Sequence, residues 1–248
     1  VRDSLLERFH RGDRLALSRL LSYAARGKNL GDILQQIQPI GKRSLVAAVT
    51  GSGGVGKSTL IGKSIGWLRQ HGQTVAVLAC DPQSPLTGGA LLGDRFRMPH
   101  EPTDDGVFIR SLAAAAGQGA VASHLGAMVR MVEAFGFDVI IVETAGAGQG
   151  ETAVRDFVDV LVLLLQPETG DDLQWEKAGI LEVADIIGIH KADMPGSERV
   201  VAQVRSALEF PGGGTIPILP ISSKTGQGIE ELWKTITQCL RRRGERLR

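Results

Sequence analysis

Residues 51–58 read Gly51-Ser52-Gly53-Gly54-Val55-Gly56-Lys57-Ser58, followed by Thr59. An apolar run from Leu45 to Thr50 precedes the stretch, and an amphipathic one from Lys57 to Gln70 carries on from it. Strand, glycine-rich loop and helix in that order satisfy the full phosphate-loop pattern. Glycines let successive backbone N–H groups turn toward one anion, and the helix start adds the positive end of its dipole. Gly51, Ser52, Gly53, Gly54, Val55, Gly56 and Thr59 are therefore expected to line a phosphate cradle. Lys57 is expected to reach the β and γ phosphates, and Ser58 to place its hydroxyl on Mg²⁺.

Outward from this loop the chain repeats apolar strand, glycine-bearing turn and amphipathic helix. The pattern predicts strands at Leu45 to Thr50, Thr74 to Cys80, Val107 to Ser111, Val139 to Glu143, Val160 to Leu165, Ile186 to His190 and Ile216 to Ile221. Their continuous apolar character implies cover on both faces. Helices are predicted at Lys57 to Gln70, Val121 to Ala134, Leu173 to Val183, Ser197 to Leu208 and Ile229 to Leu240. The fold class is α/β: a three-layer sandwich around a mostly parallel sheet. Residues 1–42 read as a helical extension, with Asp13 capping a helix that carries Leu15, Leu17, Leu20 and Leu21 and a short second helix over Asp32 to Gln38. Residues 43–248 form the main domain. Gly117 to Gly119 and Gly212 to Gly214 read as flexible loops.

In such sheets ligands sit beyond the carboxyl ends of the strands. Glu143 ends an apolar strand there and supplies the acidic group that a magnesium site beside the loop requires, through water at least as readily as by direct ligation. Gly146 follows, placed to bring a backbone N–H near the γ phosphate. Asp81 closes the second strand; it either polarises water and senses Mg²⁺ or caps its own turn. Asp94 is a candidate for metal or partner contact, or an ordinary surface charge beside Arg95.

Phosphates do not separate guanosine from adenosine, so the base needs its own reader. His190-Lys191-Ala192-Asp193 resembles the Asn-Lys-x-Asp guanine signature, in which a carboxylate accepts from guanine N1–H and the exocyclic amine. Asp193 is the expected reader. His190 departs from asparagine, because imidazole offers one donor and one acceptor in a different spacing. Either the contact to guanine N7 or the brace to the phosphate loop is altered, at a cost of about 0.5–1.5 kcal/mol for one neutral bond. Ser222-Ser223-Lys224 follows the last strand, where a loop would close over the base.

Composition narrows the partners. Acidic and basic residues number 27 and 28, for a formal charge of +1, which gives no global field for nucleic acid or an anionic membrane. The arginines from Arg241 to Arg248 are read as a solvated helix end. Cys80 and Cys239 lie far apart and form no disulfide framework. With 43% hydrophobic residues the chain can bury one sizeable core, and no uncharged apolar run reaches membrane-spanning length. A cytoplasmic location is expected, although a start at Val1 leaves open a leader before it.

The motifs together resemble the MeaB/ArgK family of GTPases, chaperones associated with methylmalonyl-CoA mutase. The likeness runs through the phosphate loop, Asp81-Pro82-Gln83-Ser84-Pro85-Leu86-Thr87-Gly88-Gly89, Leu92-Gly93-Asp94-Arg95, the run from Glu143 to Glu151, Gly170-Asp171-Asp172-Leu173-Gln174 and His190 to Gly196. The resemblance implies a SIMIBI-like G domain that binds GTP or GDP with Mg²⁺. It further implies a B12-dependent acyl-CoA mutase partner, into which the protein gates adenosylcobalamin and from which it helps clear inactivated cofactor. It places Asp81, Asp94 and Glu143 in the metal and switch environment, and Gln149 and Glu151 in a segment that transmits nucleotide state. Gln149 either positions the attacking water or lies at the surface. The chain ends soon after Leu240, where the family commonly adds a dimerisation arm, so a dimer is expected only through another face. Alternatives are a nucleotide-binding adaptor with negligible hydrolysis, a ParA/MinD-like ATPase, which Ser52 and Asp193 disfavour, and a nickel-insertion GTPase, which the lack of a His-rich or paired-Cys store disfavours.

Overall fold

A computed structural model describes residues 2–28, 30–37, 42–82, 98, 103–114, 124–145, 154–167, 183–208 and 216–246. Seven strands, β1 (Leu45–Gly51), β2 (Val75–Pro82), β3 (Val107–Ala114), β4 (Val139–Glu143), β5 (Val160–Leu165), β6 (Ile186–His190) and β7 (Ile218–Ile221), form one sheet in the order β3-β2-β4-β1-β5-β6-β7. Every neighbouring pair is parallel.

Alternation along each strand sends side chains to opposite faces. On β4, Ile140 and Val142 face one layer, while Val139 and Ile141 face the other. The first layer holds α1 (Arg2–His10), α2 (Arg14–Ala25), α3 (Leu30–Gln36) and α5 (Leu125–Phe135), which share a core built on Phe9, Leu17, Leu21, Met128 and Met131. The second layer holds α4 (Lys57–Gln70) and α7 (Ile229–Arg246), whose Leu60, Ile61, Ile65, Leu232 and Trp233 pack on the opposite face. At the far end, α6 (Ser197–Leu208) lays Val200 and Val204 against Ile187 and Ile189. Cover on both faces is why the strands read as unbroken apolar runs.

Asp13 caps α2 as expected, accepting from the backbone N–H of Leu15 at 2.8 Å and of Ala16 at 3.2 Å. Such a cap contributes about 1 kcal/mol. The helical extension is tied to the edge strand β3 by two arginines. Arg14 donates to the Val107 carbonyl and lies over the Phe108 ring, and Arg110 donates to Ser22 Oγ at 2.9 Å.

Several boundaries differ from the sequence reading. β3 continues past Ser111 because β2 offers it paired backbone as far as Pro82↔Ala114. β7 starts at Ile218 instead of Ile216, since Pro217 has no N–H for the ladder; Pro220 is tolerated because β7 is an edge. Residues 38–41 and 171–182, with most of the helix expected at Leu173 to Val183, lie outside the described residues, as do the loops at Gly117 to Gly119 and Gly212 to Gly214. Among the described residues no helix is long and apolar enough to cross a membrane.

Candidate nucleotide site

β1 lies at the centre of the sheet, between β4 and β5, so the loop leaving its carboxyl end emerges between two other strand ends. Val49 stands opposite Glu143 and Gly51 opposite Leu164. Gly51 has φ of 144°, and a Cβ on it would lie 2.5 Å from the Leu164 carbonyl oxygen. No other residue type fits there without moving β5. The loop crosses to α4, which begins at Lys57 after Gly56 at φ of 100°.

Lys57 is buried, and its Nζ donates to the carbonyl oxygens of Gly51 at 2.8 Å and Ser52 at 3.2 Å. The ammonium is thereby held over the glycine loop. One residue on, Ser58 Oγ donates to Glu143 Oε1 at 2.7 Å, and both residues are buried. A hydroxyl and a carboxylate side by side at the mouth of the loop are hard oxygen donors of the kind that Mg²⁺ takes. Behind them Thr144 Oγ1 donates to Thr50 Oγ1 at 2.9 Å, and the Thr144 N–H donates to the Val49 carbonyl at 3.2 Å. This link sets the end of β4 against the end of β1. The sequence reading missed it; its only trace is a threonine beside each of two apolar strands.

The second half of the site comes from β6 and β7, where His190 pairs in register with Ile221. The residues after each strand consequently meet. His190 is buried, with Nδ1 2.6 Å from the Val55 carbonyl oxygen and Nε2 2.7 Å from Ser223 Oγ. A carbonyl only accepts, so Nδ1 carries the proton. Burial holds the imidazole pKa below its ordinary value against the opposing bond to Val55, with the Lys191 charge lowering it further. The ring is therefore neutral at pH 7, and Nε2 accepts from the Ser223 hydroxyl. Lys191 has φ of 58°, a left-handed turn that carries the chain from the buried His190 to Asp193 at the surface. There Ser222 Oγ donates to Asp193 Oδ1 at 2.6 Å, which is the main reason the carboxyl lies below its usual range. An ionised carboxylate has about four lone-pair sites, so acceptor capacity remains beside the serine.

The structure thus brings together Gly51 to Thr59, Glu143, His190, Lys191, Asp193, Ser222, Ser223 and Lys224 at the carboxyl end of the sheet. Of Asp81 only the backbone is described, opposite Ala113 at the end of β2. Asp94, Gly146 and Gln149 lie outside the described residues.

Gly56 shows how tightly the two halves interlock. A Cβ there would lie 2.5 Å from His190 Cε1, and that ring is fixed at both nitrogens. Together with the strain of a positive φ, about 1–3 kcal/mol, this predicts that Gly56→Ala weakens GDP binding by about tenfold or more. Calorimetric titration checks the affinity, and thermal melting reports separately on the fold.

Comparison with known proteins gives a consistent set of relatives. The sequence profile described as "Methylmalonyl Co-A mutase-associated GTPase MeaB" matches residues 17–246. A protein of Pyrococcus abyssi named as a GTPase is 40% identical over 243 residues, which cover 95% of this chain and 75% of that protein. The mouse "Methylmalonic aciduria type A homolog, mitochondrial" is 38% identical over 197 residues, 77% of this chain and 48% of its own length. A crystal structure described as an LAO/AO transport system kinase superposes with a TM-score of 0.68 at 26% identity, covering 99% of this chain and 81% of the other.

Proposed function

Because this chain belongs to the methylmalonyl Co-A mutase-associated GTPase family, MeaB, we propose that its GTP hydrolysis is coupled to loading adenosylcobalamin into a B12-dependent acyl-CoA mutase and to protecting that mutase. The protein is a GTPase and binds GTP and GDP. The match of residues 17–246 to the mutase-associated profile supports the coupling, and the convergence of Lys57, the Ser58–Glu143 pair, the His190 bridge and Asp193 at the carboxyl end of the sheet supports the nucleotide chemistry.

In this reading the amides of residues 53–58 and the Lys57 ammonium hold the β and γ phosphates, stabilising charge that spreads over the γ-phosphoryl oxygens as water attacks. Ser58 and Glu143 would hold Mg²⁺, which when bound screens the phosphate charge. Asp193, oriented by Ser222, accepts from guanine N1–H and the exocyclic amine, and Lys191, Ser223 and Lys224 frame the base. Asp81, Asp94 and Gln149 are proposed as the switch-side residues that answer to the γ phosphate. Gly146 is proposed to bring its N–H to that phosphate. Attack requires water held in line, and turnover is expected to rise when the partner mutase is bound.

Mixing the protein with a B12-dependent methylmalonyl-CoA mutase tests the coupling. Co-elution that differs between GDP and a non-hydrolysable GTP analogue, with a change in the rate of adenosylcobalamin loading, is expected. Unaltered loading in both nucleotide states would remove the chaperone role while leaving the GTPase intact.

A further inference from the structure

We propose that this protein reads guanine without its N7 atom, because the side chain at the position that could supply an N7 donor, His190, is fully engaged in holding the two nucleotide loops together. The inference rests on the guanine-site reading above and concerns which edge of the base is recognised.

Imidazole has two ring nitrogens, and each makes one in-plane contact. Nδ1 is 2.6 Å from the Val55 carbonyl oxygen in the phosphate loop, and Nε2 is 2.7 Å from Ser223 Oγ in the loop after β7. The engagement does not depend on protonation, since both nitrogens face protein oxygens in either state. Three nearby main-chain donors are committed too: the Ala192 N–H to the Ile221 carbonyl at 3.0 Å, the Ser222 N–H to the Gln227 carbonyl at 3.0 Å and the Met194 N–H to the Lys191 carbonyl at 2.9 Å. Guanine N7 is an acceptor and needs a donor. Base selection is thereby concentrated on the N1 and amine edge facing Asp193. An asparagine amide differs in kind: its NH₂ carries two hydrogens and its oxygen two lone pairs. It can keep both loop contacts and still direct one N–H at N7.

Equilibrium titration of the purified protein with GDP, 7-deaza-GDP and ADP in the presence of Mg²⁺ tests this. GDP and 7-deaza-GDP are expected to bind within about twofold of each other, whereas a hydrogen bond to N7 would separate them by about threefold to tenfold. In His190→Asn that separation is expected to appear, through tighter binding of GDP. An affinity of the native protein for 7-deaza-GDP weaker by about threefold or more would overturn the proposal. So would a His190→Asn protein that folds, binds GDP and remains indifferent to N7. Equal affinity for ADP and GDP is a different failure: it would sink the guanine reading itself.

Discussion

Lys57→Ala is expected to lower kcat/KM for GTP by about 10²–10³-fold, the loss that follows removal of one preorganised charge-stabilising group from a site of this kind. The ammonium is the one full positive charge that the glycine loop itself carries, and it is already held over that loop by the Gly51 and Ser52 carbonyls. Its contribution grows as charge develops on the transferred phosphoryl group, so kcat falls with kcat/KM. Lys57→Arg retains the charge but not the compact point donor, and recovers little of the activity. Phosphate release under multiple and single turnover checks the prediction, and a melting curve for each variant separates lost chemistry from lost fold.

Asp193→Asn is expected to invert base preference from guanine to xanthine. The carboxylate presents acceptors only, and Ser222 occupies one of its lone-pair sites. Converting one oxygen to NH₂ turns an acceptor pair into one acceptor and one donor, which opposes the guanine amine and suits the C2 carbonyl of xanthine. Two hydrogen bonds to a charged group are at stake, each about 1.5–3 kcal/mol, so GDP affinity should fall by about 10²-fold or more. Titration of the native and variant proteins with GDP and XDP gives the answer. A variant that loses GDP and gains no XDP would point to a structural role for the Ser222–Asp193 bond instead of base reading.

Much of the architecture was legible because local sequence and tertiary placement agree. α4 spans Lys57–Gln70 as predicted, with Gly56 before it and His71-Gly72 after it supplying start and stop. β4, β5 and β6 match their apolar runs, which both layers of helices cover. Where the boundary depended on a neighbour, local reading fell short: β3 is prolonged by its register with β2, which no window on 107–114 reveals.

The site shows the same division. The phosphate loop is contiguous, and its glycines announce their backbone requirements. The Ser58–Glu143 and Thr50–Thr144 contacts exist because β4 lies beside β1, although 94 residues separate the two threonines. Strand order has no local signature. His190 is the instructive case. From residue type alone either the N7 contact or the loop brace had to change; the geometry preserves the brace, with Val55 and Ser223 meeting the two ring nitrogens. The likeness to GTPases indicated by His190 to Asp193 is matched by family membership, which favours hydrolysis over a passive adaptor.

The central claim is that the loop from Gly51 to Thr59 and the pair of loops joined by His190 form a single site for a guanine nucleotide. Phosphate release from GTP and from ATP, each with and without Mg²⁺, tests it most directly. The account predicts release from GTP alone, dependent on the metal and lowered about 10²–10³-fold by Lys57→Ala. Equal turnover of ATP, or turnover of GTP indifferent to both Mg²⁺ and Lys57, would contradict it.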